Sequence, residues 1–279
     1  MKLHIIETGK FKLDGGAMFG VVPKSLWKRL NPPDENNMCT WSMRCLLIED
    51  GERKILIDTG LGDKQGEKFR SHFYPHGEDS LSKSLSKAGF NFQDITDVFL
   101  THLHFDHVGG AVLRDNQDNL VPTFPNATYW SNEKHWNWAL NPNAREKASF
   151  LKENIVPLQE HNVLKFIDIE QGVKFTDSIH VDFAYGHTEA LMVPYIKMDN
   201  GKTLVYTADL LPSHCHIGMP YVMGYDIRPL ETLKEKEDLY EKTVDNDHMI
   251  FFEHDKDIAC AQLTRNEKGR VVLGEEVAL

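Results

Sequence analysis

Cysteine is scarce in this 279-residue chain: Cys39, Cys45, Cys215 and Cys260, none in a CxxC pair. That spacing argues against a disulfide framework and a zinc knuckle, and free thiols in a reducing compartment are expected. Long apolar runs are missing, none nearing the ~20 residues of a membrane-spanning helix. The opening Met1-Lys2-Leu3-His4-Ile5-Ile6-Glu7 lacks the apolar centre of a secretion signal. A cytoplasmic protein without a membrane partner is therefore expected. Positive charge is in deficit, with 31 Lys plus Arg against 42 Asp plus Glu and a formal net charge of −11. Nucleic acids and anionic membranes call for basic faces, so neither is expected as a partner. There is no Gly-rich phosphate loop, literal repeat or low-complexity tract.

What is present includes 41% apolar residues, enough for a sizeable core, and one dense polar stretch. Thr101-His102-Leu103-His104-Phe105-Asp106-His107 follows the apolar run Val98-Phe99-Leu100. On an extended backbone His102 and His104 point to one side. Asp106 and His107 fall in the turn beyond, where the chain can fold back over the same spot, and Gly109-Gly110 permits a tight turn there. A histidine-rich surface loop has no reason to set three histidines and an aspartate at this spacing behind a buried strand. Imidazole and carboxylate donors suit zinc, and also manganese, iron or cobalt.

His-Leu-His-Phe-Asp-His resembles the HxHxDH signature of the metallo-β-lactamase superfamily. The resemblance implies an α/β (α+β) chain folded as an αββα sandwich, two mixed sheets flanked by helices, in one domain over residues 1–279. It also supplies the remaining ligands in the family's order: His187 after Gly186, then Asp209 and His254, all at strand ends. His102, His104 and His187 would hold one ion, Asp106, His107 and His254 a second, and Asp209 would bridge. Seven N and O donors exceed the four of a single zinc. Two divalent ions are expected, zinc foremost, with manganese, iron or cobalt accommodated because no thiolate is included. The implied chemistry is hydrolysis by a bridging hydroxide, with Asp209 and Asp106 as catalytic carboxylates and Asp106 taking the released proton. Many family members read Gly-His-Thr-Pro-Gly-His at the fifth ligand. This chain reads Gly186-His187-Thr188-Glu189-Ala190-Leu191, so the second histidine is missing.

Three further stretches bear on function. Asp58-Thr59-Gly60 closes a strand, with Asp58 either orienting a ligand histidine or capping a turn. The pairing of residues 14–24 with residues 208–216 resembles the YtnP-like quorum-quenching N-acyl-homoserine lactonases. That implies a small-molecule lactone or ester substrate, with Met18, Phe19 and Val21 touching an acyl chain unless their apolar loop merely caps the core. His214 and His216 would orient substrate or donate a proton, unless they are surface residues. Leu210-Leu211-Pro212 stands where better-studied lactonases carry a tyrosine. A phosphotriesterase or arylesterase of the same fold is the rival enzyme, a metal-binding or redox protein the non-enzymatic alternative, and a homodimer the family-level expectation. The patterning predicts strands from Leu3 to Phe11 and from Arg44 to Ile48, loops over residues 13–24 and 61–77, and helices over residues 144–155 and 229–244. Leu230, Leu233 and Leu239 would face inward on the last helix.

Overall fold

The computed structural model describes residues 1–244 and 246–279. Its strands are β1 (Lys2–Asp14), β2 (Met38–Asp50), β3 (Arg53–Ile57), β4 (Asp97–Phe99), β5 (Val112–Arg114), β6 (Leu120–Pro122), β7 (Thr128–Ser131), β8 (Leu164–Phe166), β9 (Val173–Lys174), β10 (Ile179–Ala184), β11 (Leu191–Lys197), β12 (Thr203–Tyr206), β13 (Met249–Phe251), β14 (Cys260–Arg265) and β15 (Val271–Glu276). The helices are α1 (Gly15–Phe19), α2 (Lys24–Trp27), α3 (Glu67–Phe73), α4 (Leu81–Lys87), α5 (Phe105–Val108), α6 (Glu133–Leu140), α7 (Lys152–Glu160) and α8 (Pro229–Val244). Two large mixed sheets with helices make the α/β architecture that the sequence implied. No helix among the described residues is long and apolar enough to cross a membrane. All four cysteines are free and buried.

The chain divides into two compact units, residues 1–9 with 43–169, and residues 10–42 with 170–279. The first carries the six-stranded order β1-β2-β3-β4-β7-β8, in which β3, β4, β7 and β8 run parallel. Parallel strands are covered on both faces and therefore read as continuous apolar runs, as Ile55-Leu56-Ile57 and Val98-Phe99-Leu100 do. Its core joins Leu47, Leu56, Val98 and Leu100 to Leu85 of α4, Trp136 of α6 and Ile155 of α7, all buried.

The second unit holds the order β15-β14-β13-β12-β11-β10-β9. β11 and β12 form the hairpin announced by Asn200-Gly201, with Gly201 at φ +82°, the left-handed region a turn glycine supplies. β12 and β13 are parallel, pairing Leu204, Val205 and Tyr206 with Met249, Ile250 and Phe251.

Four expectations need correction. Residues 13–24 are the end of β1, the short helix α1 and a turn leading into α2 rather than a loop, with Asp14 capping α1 through Ala17 N at 2.9 Å. α3 interrupts the loop expected over residues 61–77. The helix expected from residue 144 starts at Lys152. Before it, the buried Glu146 accepts from Trp138 Nε1 at 2.8 Å and Asn143 Nδ2 at 2.6 Å, which holds the segment irregular. α8 has the predicted ends but a different inner face: Thr232, Lys236, Leu239, Tyr240 and Thr243 are buried while Leu230 is 75% exposed. Lys236 is tolerated there because its ammonium donates to the carbonyls of His216, Gly218 and Tyr221 at 2.7, 3.0 and 3.2 Å.

Candidate metal centre

Strands deliver the candidate ligands with a common offset. β4, β10, β12 and β13 end at Phe99, Ala184, Tyr206 and Phe251, and His102, His187, Asp209 and His254 each lie three residues further on.

In the first unit, Asp58 follows β3 in the left-handed region at φ +57°, a conformation aspartate enters more readily than most residues. Its carboxylate accepts from Thr101 N at 2.8 Å and Thr101 Oγ1 at 2.6 Å, and lies 3.1 Å from His107 Nδ1. The Asp58 carboxylate holds the His107 ring at Nδ1 and leaves Nε2 to face Asp106, 3.9 Å from its carboxylate. Thr59 N and Oγ1 both donate to the His107 carbonyl at 2.8 Å. His102 Nε2 lies 3.1 Å from His104 Nδ1, and the His102 and His107 rings are 3.9 Å apart. Buried imidazole nitrogens converging in this way are what a shared cation requires.

Two supporting residues were not singled out from the sequence. Glu146 Oε1 lies 3.6 Å from His104 Nε2. The Leu103 amide donates to His135 Nε2 at 2.8 Å, fixing the backbone between the two motif histidines. Nothing in the aromatic run 130–138 marks His135 as an acceptor for the motif.

The turn closing the motif is tight. A Cβ on Gly109 would stand 2.0 Å from the Leu61 carbonyl oxygen, with backbone rather than a side chain in the way. Gly109→Ala is expected to cost about 3 kcal/mol, read as a lower midpoint in chemical unfolding of the metal-free protein.

In the second unit, one carboxylate faces two imidazoles. Asp209 Oδ2 lies 3.0 Å from His187 Nε2, and Oδ1 lies 3.1 Å from His254 Nε2. Each ring is anchored at its other nitrogen, His187 Nδ1 by Asp226 at 2.8 Å and His254 Nδ1 by the Ser42 carbonyl at 2.7 Å. Burial pulls the His187 pKa down, but the Asp209 and Asp226 carboxylates outweigh it and raise it to about 10. The place calls for positive charge, and its donors are those of a divalent-metal site.

The His187 turn is gripped from residues 226–228. Ile227 N donates to the His187 carbonyl at 3.3 Å and Arg228 N to Gly186 at 2.9 Å. The Arg228 guanidinium donates to the Tyr185 carbonyl at 2.7 Å and to Glu189 at 2.6 Å. Ala190 sits at φ +52° where the family pattern has glycine. The Glu189–Arg228 pair braces this turn, which has lost the family's Pro-Gly-His.

The structure separates the proposed substrate contacts. His216 is 1% exposed, stacked on Phe19 with centroids 5.0 Å apart, with Nδ1 2.7 Å from Ser213 Oγ and Nε2 3.0 Å from the Met18 carbonyl. Met18 and Phe19 are likewise enclosed, and Val21 is 92% exposed on a turn. The apolar segment caps the core, and Met18, Phe19 and His216 present almost no surface to a ligand. His214 is half-buried against Asp255, whose carboxylate, with the neighbouring Cys215 thiol, raises its pKa to about 10.

Burial pushes the His216 pKa down to about 4 against an ordinary 6.5, so folding excludes a proton that the unfolded chain takes up. Its contribution to stability is fully present above about pH 6.5 and is lost as pH falls toward 4. Unfolding free energy should therefore decline across that window, and His216→Phe should flatten this part of the profile.

Residues 44–254 match the family model described as the Metallo-beta-lactamase superfamily. The N-acyl homoserine lactonase AiiA of Bacillus thuringiensis subsp. kurstaki is 23% identical over 267 residues, 91% of this chain and 93% of that protein. A probable metal-dependent hydrolase from Staphylococcus aureus superposes with a TM-score of 0.87 at 26% identity, covering 99% of this chain and 98% of its own. AidC, a dizinc quorum-quenching lactonase in complex with an N-acyl-L-homoserine product, superposes with a TM-score of 0.79 at 23% identity, covering 100% and 97%. The family match begins at Arg44, ends at His254 and takes in the HxHxDH stretch, His187 and Asp209 on the way, so this chain belongs to the metallo-β-lactamase superfamily.

Proposed function

We propose that the two donor sets serve one dinuclear centre and that the protein opens the ester bond of an N-acyl-homoserine lactone. His102, His104 and His187 would hold one divalent ion and Asp106, His107 and His254 the other, with Asp209 available to both and zinc the first candidate. The observation that carries this reading is the Asp209 carboxylate, each of whose oxygens faces a different buried histidine Nε2. The lactonase names of the relatives support the substrate class.

Bound divalent ions would supply hydroxide near neutral pH and polarise the oxygen under attack. The protein's own task is placement. Asp58, Asp226 and the Ser42 carbonyl hold Nδ1 of His107, His187 and His254, which presents Nε2 of each. Asp106 would accept the proton that the attacking water gives up. The ring nitrogens of His214 and His216 already have protein partners, so neither is assigned the proton to the leaving oxygen. The two compact units work as a single catalytic domain.

The test is initial rates of the zinc-loaded protein on N-acyl-homoserine lactones of graded chain length, beside a phosphotriester and an aryl ester. Lactone opening that depends on acyl length and disappears after chelation is the expected result. Phosphotriester or aryl-ester turnover without lactone opening would transfer the reading to the rival enzyme class.

A further inference from the structure

His214 and its neighbours form a second chemical cluster that the hydrolytic reading does not use. Cys215 Sγ lies 3.6 Å from His214 Nε2, and His214 Nδ1 rests against Asp255 Oδ2. The Asp255 carboxylate is fixed in turn by backbone amides, His214 N at 2.8 Å, Asp257 N at 3.0 Å and Ile258 N at 2.8 Å. A thiol, an imidazole and an orienting carboxylate in series is the arrangement that activates a cysteine nucleophile. The other cysteines lie in different surroundings. Burial, chiefly, pushes Cys39 and Cys260 up to about 12, and Cys45 is fully enclosed. Cys215 is buried too, but the ring beside it is 23% exposed at its side chain, so solvent reaches the cluster.

We propose that Cys215 is a reactive thiol and a modification site for hydroperoxides, with the His214–Asp255 pair as the base that takes its proton during attack. The sulfur attacks the terminal peroxide oxygen. An S–O bond forms, the O–O bond breaks, and the electron pair leaves with the second oxygen, which takes a proton from the imidazolium or from water. Sulfur is oxidised to the sulfenic acid and the peroxide is reduced to an alcohol, or to water for hydrogen peroxide. The assignment stands independently of the lactonase reading.

The experiment exposes the zinc-loaded protein to hydrogen peroxide, quenches it, and follows all four cysteine peptides by mass spectrometry. Cys215 should be oxidised about tenfold or more faster than Cys39, Cys45 and Cys260, because it alone has an imidazole in reach to take the thiol proton. His214→Gln and Asp255→Asn should each slow Cys215 and leave the other three unchanged. Oxidation of Cys215 no faster than its neighbours in the unaltered protein would overturn the proposal whatever the variants do, as would an unchanged Cys215 rate in both folded variants.

Discussion

Asp209→Asn should lower kcat/KM by about 10³-fold or more, the scale on which the loss of a key transition-state group is felt. The two carboxylate oxygens stand 3.0 and 3.1 Å from Nε2 of His187 and His254. An amide of the same shape keeps one acceptor, replaces the other with a donor, and removes the negative charge that a cation held beside either ring would need. The folded state should tolerate the change, because desolvating a carboxylate costs more than desolvating an amide. The decisive measurement pairs kinetics with metal content: bound metal should fall below two ions per chain while the metal-free unfolding midpoint holds. Two retained ions with full activity would remove Asp209 from the bridging position.

Asp58→Ala should act on stability and on metal affinity together. The substitution strands the Thr101 amide and His107 Nδ1 in a fully buried site and leaves the Thr101 hydroxyl only His102 Nδ1, 3.2 Å away. Each orphaned buried polar group costs about 1–3 kcal/mol. A loss of about 3 kcal/mol corresponds to a fall of about 6–12 °C in Tm for a chain of this size. Freeing the His107 ring should weaken metal binding by about 10–100-fold in chelator competition. Asp58→Asn separates the contributions, since asparagine is at ease at φ +57° and still accepts from Thr101 N. A Tm drop under 2 °C for the alanine variant would contradict the hydrogen-bond network drawn around the motif.

The parts of this centre that could be read in advance share a local cause. His102, His104, Asp106 and His107 are spaced by one short stretch of chain, the extended run past β4 that leads into α5, and α8 and the Asn200-Gly201 hairpin carry their own start and turn signals. The parts that could not be read depend on partners distant in sequence. Asp226 reaches His187 across 39 positions, out of an irregular segment with no periodicity to mark it. Glu146 lies in a stretch of good helix formers, and its buried bonds to Trp138 and Asn143 override that propensity. Leu230 shows the converse error: an apolar residue at helical spacing is turned outward because Lys236 and Tyr240 take the inner face through carbonyl partners.

The parallel ladder of β12 and β13 has a consequence for how such a protein can change. Tyr206 is level with Phe251, and Asp209 and His254 lie three residues beyond each. Backbone pairing sets their spacing, so the long excursion between these strands carries little of that burden. Outside the residues that anchor a ring or pack inward, such as Asp226, Arg228 and the buried face of α8, insertions and rewrites in the excursion are affordable to a lineage in a way that a one-residue slip in either strand is not. New substrates can therefore be explored by drift in the connection while the inherited donor spacing stays the same.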